Sequence, residues 1–235
     1  MYKHKYSLGG YIFEIDSLYE YFYLYSREYI SNNNPNYVIV NTEEELDQWI
    51  SSHNEQGPRD YLETLLIQSK VADILVKYDV YIFHGSSIYI DNVNNGFIFT
   101  GPSGVGKSTH VSKLKEYYQD RLAIINDDKP FLDKDFYIYG SPWSGKSHIS
   151  INSTAKLKAI FIIYQSKDNK INELKPSEAI NYLIKQIHLP KGKEETNNGL
   201  DYLIRLVKDV PIYHLGLNLE SDSINNTINA IKRYL

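Results

Sequence analysis

The stretch "GPSGVGKS", Gly101 to Ser108, sets three glycines, a lysine and a hydroxyl side chain in the spacing G-x-x-x-x-G-K-[ST]. Glycines allow the tight turn in which successive backbone N–H groups converge on one point, and a helix starting beside the lysine adds the positive end of its dipole. Such a cradle binds an anion, and the β-phosphate of a nucleotide suits its size and charge. In that reading Gly101, Pro102, Ser103, Gly104, Val105, Gly106, Lys107, Ser108 and Thr109 line the phosphates of ATP. Lys107 then bridges the β- and γ-phosphates, and the Ser108 hydroxyl ligates the accompanying Mg2+. The alternative is a glycine-rich turn with a surface lysine, against which stand the apolar run before the loop and the helical pattern after it.

Asp127 and Asp128 close the apolar run "LAIIN" about 20 residues after Lys107, enough chain for one helix and a returning strand. One carboxylate can hold metal while the other accepts a proton from an attacking hydroxyl. Adjacent side chains on a strand point apart, so both serve only where the strand has ended and turned, which Lys129-Pro130 favours. A capping or turn pair is the competing reading. His84, followed at once by Gly85, lies on a strand leading toward the loop and on its own reads equally as a hydrogen-bonded structural histidine.

These groups need elements to carry them. "VYIFHGSSIYI" and "GFIFT" read as two strands joined through the turn cluster "DNVNNG", so the phosphate loop hangs from the second strand of an antiparallel hairpin. A helix from about Lys107 to Tyr118 and the strand "LAIIN" follow. "KPFLDKDFYIYGSPWSGK" suggests a second hairpin, and "AIFIIYQ" a strand. The last third alternates the helices "PSEAINYLIKQIH", "NGLDYLIRLVKD" and "SDSINNTINAIKRYL" with one strand, "PIYHLGL"; "LPKGKEETNNG" reads as the mobile loop. Ahead of the core, "KYSLGGYIFEI" and "YVIV" read as strands, "TEEELDQWI" as a helix with Thr42 as N-cap, and "GPRDYLETLLIQSKVADILVKYD" as the longest helix of the front half. Tyr19, Tyr21, Tyr23 and Tyr25 repeat with period 2, which predicts a strand with its rings on one face. The division that follows is α/β, with a β-rich accessory lobe over 1–78 and a nucleotide-binding core over 79–235.

With 235 residues, 42% hydrophobic and 23% charged, the composition is that of a globular chain able to bury a sizeable core. A formal net charge of −4 gives no general pull toward nucleic acid or an anionic membrane, and no run reaches the roughly 20 apolar residues of a bilayer span. The absence of cysteine removes disulfides, thiolate metal sites and a cysteine nucleophile, and fits a cytoplasmic setting. A homo-oligomer is left open.

"HGSSIYID", "FIFTGPSGVGKST" and "AIINDD", in that order, resemble the catalytic domain of the HPr kinase/phosphorylase family over about residues 80 to 130. The resemblance implies a mixed-sheet P-loop kinase core of the phosphoenolpyruvate carboxykinase-like type. It also implies that His84 belongs to the active site, that Lys107 holds phosphate and Ser108 magnesium, and that Asp127 takes the proton from a serine hydroxyl. The family's downstream glutamate-bearing signature and arginine-bearing loop have no clean match; "YGSPWSGK" stands there instead. Asp128 then becomes the metal ligand, and Lys146 a candidate transition-state cation, with Ser141 and Ser144 as donors. A hairpin loop anchored by Trp143 is the alternative for that segment. The chain looks more like the short stand-alone relatives, some of which resemble kinases that phosphorylate small ribosomal peptides, so the expected partner is a peptide or protein bearing an acceptor hydroxyl. A nucleotide-binding switch or ATPase is the rival reading, weakened by only five arginines, none in an evident finger loop. A catalytically silent nucleotide- and peptide-binding protein is the other.

Overall fold

The computed structural model describes residues 2–189, 192–218 and 221–235. The front begins with a hairpin, β1 (Tyr2–Leu8) and β2 (Tyr11–Ser17), in unbroken antiparallel register from Tyr2↔Ser17 to Leu8↔Tyr11. Gly9 and Gly10 both take positive φ at the turn, the two-residue geometry that matches strand twist. β3 (Tyr37–Val40) pairs in parallel with β2. α2 (Glu43–His53) opens on a reciprocal capping box between Thr42 and Glu45, as the sequence predicts, and α3 (Arg59–Leu75) packs beneath the sheet.

The tyrosine run is a helix rather than a strand: α1 spans Tyr21–Tyr25, with a short 3-10 turn at Arg27–Tyr29. The period-2 pattern fails because the intervening Phe22 and Leu24 are apolar as well. Phe22, Ser26 and Tyr29, at helical spacing, are the residues that bury. Upstream of α1, the backbone N–H groups of Leu18 and Tyr19 donate to the buried carboxylate of Glu63 on α3, which also accepts from Asn41 Nδ2. That single acid gathers three segments of the lobe.

The core is a mixed sheet. Its main path runs β7 (Leu122–Asn126), β5 (Ser86–Ile90), β6 (Asn92–Thr100), β10 (Thr154–Gln165), β12 (Ile212–Leu217) and β11 (Lys170–Glu173). β6, β10 and β12 are mutually parallel, whereas β5 runs antiparallel to both β6 and β7. The N-terminal end of β10 also pairs with β9 (Tyr137–Tyr139), which continues into β8 (Phe131–Leu132) and β4 (Tyr81–Ile82). Strand alternation divides the interior in two. Ile98, Ile160 and Ile162 face α5 (Pro176–Leu183) and α6 (Lys193–Asp209), while Phe97, Phe99 and Phe161 face α4 (Lys107–Tyr118) and α7 (Asn225–Ile231).

Two further expectations change. The hairpin reverses at Asp91, at positive φ, and not across "DNVNNG"; Asn92 to Asn95 extend β6, because residues 92–94 are solvated at its exposed end and the buried Asn95 donates through Nδ2 to the Ile90 carbonyl. The predicted mobile loop is largely helix: α6 starts at Lys193, with Thr196 N donating to Gly192 O, and Tyr202, Leu203 and Leu206 bury its face. Pro190 and Lys191 of that stretch lie outside the described residues. β11 is a strand that the sequence, polar at three of its four positions, did not announce.

The front lobe and the core share one apolar cluster, in which Phe13, Phe22 and Val71 meet Ile82, Phe131 and Trp143. Among the described residues no helix is long and apolar enough to cross a membrane.

Candidate functional site

The order β7–β5–β6 decides what meets what. β6 delivers Thr100 and the glycine loop to one sheet edge, and β7, parallel to β6 two places away, delivers Asp127 and Asp128 to the same edge. β5 runs the other way between them, so its first residue Ser86 stands in the middle, preceded by His84 and Gly85, which lie in a break between β4 and β5 and not on a strand as expected.

Gly101, Gly104 and Gly106 all take positive φ. At Gly101 a Cβ would come within 2.6 Å of the Ile163 carbonyl, so the loop leaves the sheet through a gap that a side chain would close. Around Gly104 and Gly106 nothing stands within 4 Å, and the concave face is open. α4 then starts at Lys107 with no side-chain cap, leaving the N–H groups of its first turn without helical acceptors. Pro102, Ser103, Ser108 and Thr109 are exposed along this face and Val105 is half-buried. Lys107 is buried, and its Nζ donates to the carbonyls of Gly101 (3.0 Å) and Pro102 (3.2 Å). Burial depresses its pKa against the opposing pull of Asp128 and, less strongly, Asp127. A buried ammonium that donates to two neutral carbonyls favours an anion in the cradle.

The strand β7 has ended before the aspartates, as their joint use demands. Asn126 accepts at Oδ1 from the N–H groups of Asp128 (2.8 Å) and Lys129 (2.6 Å), turning the chain. Its Nδ2 donates to the Ser141 carbonyl at 2.8 Å. Asp127 is 8% exposed, and its Oδ1 accepts from the Ser86 hydroxyl at 2.6 Å. Asp128 keeps 31% of its side chain exposed, and its Oδ1 lies 3.4 Å from His84 Nε2. Burial works to raise the Asp128 pKa, but the His84 contact and the charges of Lys129 and Lys107 outweigh it and hold the carboxyl below its usual value.

His84 is itself held. Gln186 Oε1, which can only accept, lies 3.0 Å from Nδ1 and so takes the proton there, turning Nε2 toward Asp128. Thr100 Oγ1 donates to the His84 carbonyl at 2.6 Å, and His84 N donates to Gln186 O at 2.6 Å. Ser86, Asn126 and Gln186 are the members that sequence reasoning missed. Ser86 stood within the quoted "HGSS", whereas Gln186 lies 102 residues from His84 with no motif around it.

The segment "YGSPWSGK" takes the anchored form. Trp143 anchors it: Nε1 donates to the Thr64 carbonyl on α3 at 2.9 Å, and the ring packs on Phe22 and Phe131. Ser141 is corrected from ligand donor to scaffold, since its one hydroxyl proton goes to the Lys129 carbonyl at 2.6 Å. Ser144 is buried. Gly145 lies against Asp128, where a Cβ would meet the side chain at 3.1 to 3.2 Å, and Lys146 follows it, exposed on a 3-10 turn.

On the other flank of the loop, where β10 and β12 end, a cavity of about 840 Å³ is lined by Val105, Thr109, Lys113, Gln165, Lys167 and Asn218 among others. The loop therefore stands between this cavity and the aspartates.

No protein-family model matches the chain, and none of the curated proteins matches it in sequence. Among solved structures it is similar to the Hpr(Ser) kinase/phosphatase from Coxiella burnetii, over 64% of this chain and 98% of that one, with 9% identity and a TM-score of 0.35. A likeness at that level bears on no residue of the site.

Proposed function

We propose that this chain is a Mg–ATP-dependent kinase that transfers the γ-phosphoryl group to a hydroxyl, a serine of a peptide or protein being the acceptor class. One observation carries the reading: the glycine loop and the Asp127–Asp128 pair share a sheet edge, with His84 between them, so a phosphate donor and a proton acceptor fit one reaction centre.

The loop amides and Lys107 hold the polyphosphate, and the nucleoside extends into the cavity beside Thr109. The terminal phosphorus is thereby directed toward the aspartates. The acceptor oxygen attacks it in line, the bond to the β,γ-bridging oxygen breaks, ADP departs, and the hydroxyl proton passes to Asp127. Ser86 orients that carboxylate through Oδ1, leaving Oδ2 for the proton. Ser108, exposed at the start of α4, and the part-exposed carboxylate of Asp128 are hard oxygen donors that suit magnesium, whose charge offsets that on the phosphate oxygens. Lys146 is the candidate cation over the transferred group.

A second reading exchanges the aspartates. Asp128 is the more exposed and His84 faces it, an arrangement equally apt for the base, with Asp127 toward the metal.

Incubation with γ-labelled ATP and serine peptides separates the alternatives. Label on peptide supports the kinase; free phosphate alone indicates an ATPase; nucleotide binding without turnover refutes both. Asp127→Asn abolishing transfer at unchanged ATP affinity, with Asp128→Asn weakening the Mg2+ dependence, supports the first assignment, and the reverse pattern supports the exchange.

A further inference from the structure

The tyrosine-rich lobe is not absorbed by the transfer chemistry, yet it reaches the reaction centre. Tyr21 and Tyr25, one turn apart on α1, stack at 5.9 Å with their planes 14° apart. The Tyr25 hydroxyl accepts from Ser144 N at 3.4 Å, and its ring meets His148 edge-on at 5.6 Å. Both partners flank Gly145, which lies on Asp128. Tyr61, in the first turn of α3, which packs on α1, is 45% exposed. Burial first, then the neighbouring Tyr25 phenol and the charges of Glu55 and Asp128, hold the Tyr61 pKa above its usual value; burial, Tyr25, Asp60 and Tyr61 do the same for Tyr21. Tyr21 and Tyr25 are thus stacked, and Tyr61 N donates to Asp60 Oδ1 at 2.8 Å, which sets a carboxylate beside the third ring.

Resting on the kinase reading, we infer that Tyr21, Tyr25 and Tyr61 form the acceptor-binding wall, and that the acceptor is a peptide segment carrying lysine or arginine beside its serine. Tyrosine supplies rigid ring area and a polar tip at small entropic cost, which suits an extended backbone. A small alcohol or sugar needs a concave site that encloses it, whereas Tyr61, Lys146 and His148 stand on an open face. The ring faces together with the carboxylates of Glu55 and Asp60 attract cationic side chains, and this acidic rim repels acidic segments.

The test uses a positional-scanning heptapeptide library, X-X-X-Ser-X-X-X, with γ-labelled ATP and the full chain. Expected are a preference for Lys or Arg over Asp or Glu of at least fivefold within three residues of the serine, and at least a tenfold rise in peptide KM for Tyr61→Ala and Tyr21→Ala with ATP KM within twofold. Glu55→Gln combined with Asp60→Asn reduces the basic preference. Unaltered peptide KM in both tyrosine variants, a neutral or acidic preference, or labelling of free serine, glycerol or glucose but not of peptides overturns the inference while leaving the kinase reading standing. Anisotropy titration of a fluorescein-labelled Arg-Arg-Ala-Ala-Arg peptide covers the opposite case. Saturable binding that Tyr61→Ala weakens supports the wall even if no peptide is phosphorylated, and absence of both binding and labelling overturns it.

Discussion

Ser86 Oγ donates to Asp127 Oδ1 across 2.6 Å, and both side chains are buried at the edge that carries the glycine loop. The strand in the middle therefore orients a carboxylate delivered by the strand beside it. Ser86→Ala leaves a buried carboxylate oxygen without its donor, at a cost of about 1–3 kcal/mol. Urea unfolding reads this loss, and transfer to a serine peptide falls at least tenfold while ATP affinity holds.

Lys107→Ala removes the cation that faces the cradle together with its bonds to the Gly101 and Pro102 carbonyls. Calorimetric titration with Mg–ATP is expected to show affinity reduced at least tenfold, and turnover to fall with it. Lys107→Arg does not restore either, because a planar fork cannot replace a compact ammonium within the glycine turn.

Gln186→Leu deprives His84 Nδ1 of its acceptor and frees the ring to rotate away from Asp128. A fall in kcat of at least tenfold with little change in ATP KM is the expected signature; an equal loss in a His84→Ala background would show that the glutamine acts independently of the histidine.

His110 lies on α4 directly behind the loop, 2% exposed, with Nε2 bound to Thr227 Oγ1 and its ring against Phe99. Burial lowers its pKa to about 4. The unfolded chain takes up this proton below pH about 6.5, whereas the folded chain does not until about 4, so stability drains away as pH falls through that window. The contribution is roughly 3 kcal/mol across it. Chemical unfolding from pH 7 to pH 4 measures the slope, and His110→Gln flattens it.

Much of the site was legible because its parts are local. The glycine loop, with positive φ at all three glycines, is written in eight consecutive residues, and the break between Asn126 and the aspartates in the Lys129-Pro130 pair that follows. The capping box of α2 needs only Thr42 and Glu45. What escaped reading depends on distant partners. Tyr19 to Tyr25 alternate as a strand would, but the helix follows from where Phe22, Ser26 and Tyr29 bury and from Glu63 binding the N–H groups ahead of it. Ser141 has the chemistry of a ligand donor, and only the fold reveals that the Lys129 carbonyl takes its proton. The cavity beside Thr109 is assembled from strand ends some 50 residues apart, with no shared motif.

Trp143 joins the turn beside Asp128 to α3 through its bond to the Thr64 carbonyl, and it packs in the cluster common to lobe and core. A pull on either half is consequently felt by the other. Removal of residues 1–78 would strip Ile82, Phe131 and Trp143 of their cover and loosen the turn beside Asp128, so this front segment is a structural support of the candidate site rather than a detachable adaptor.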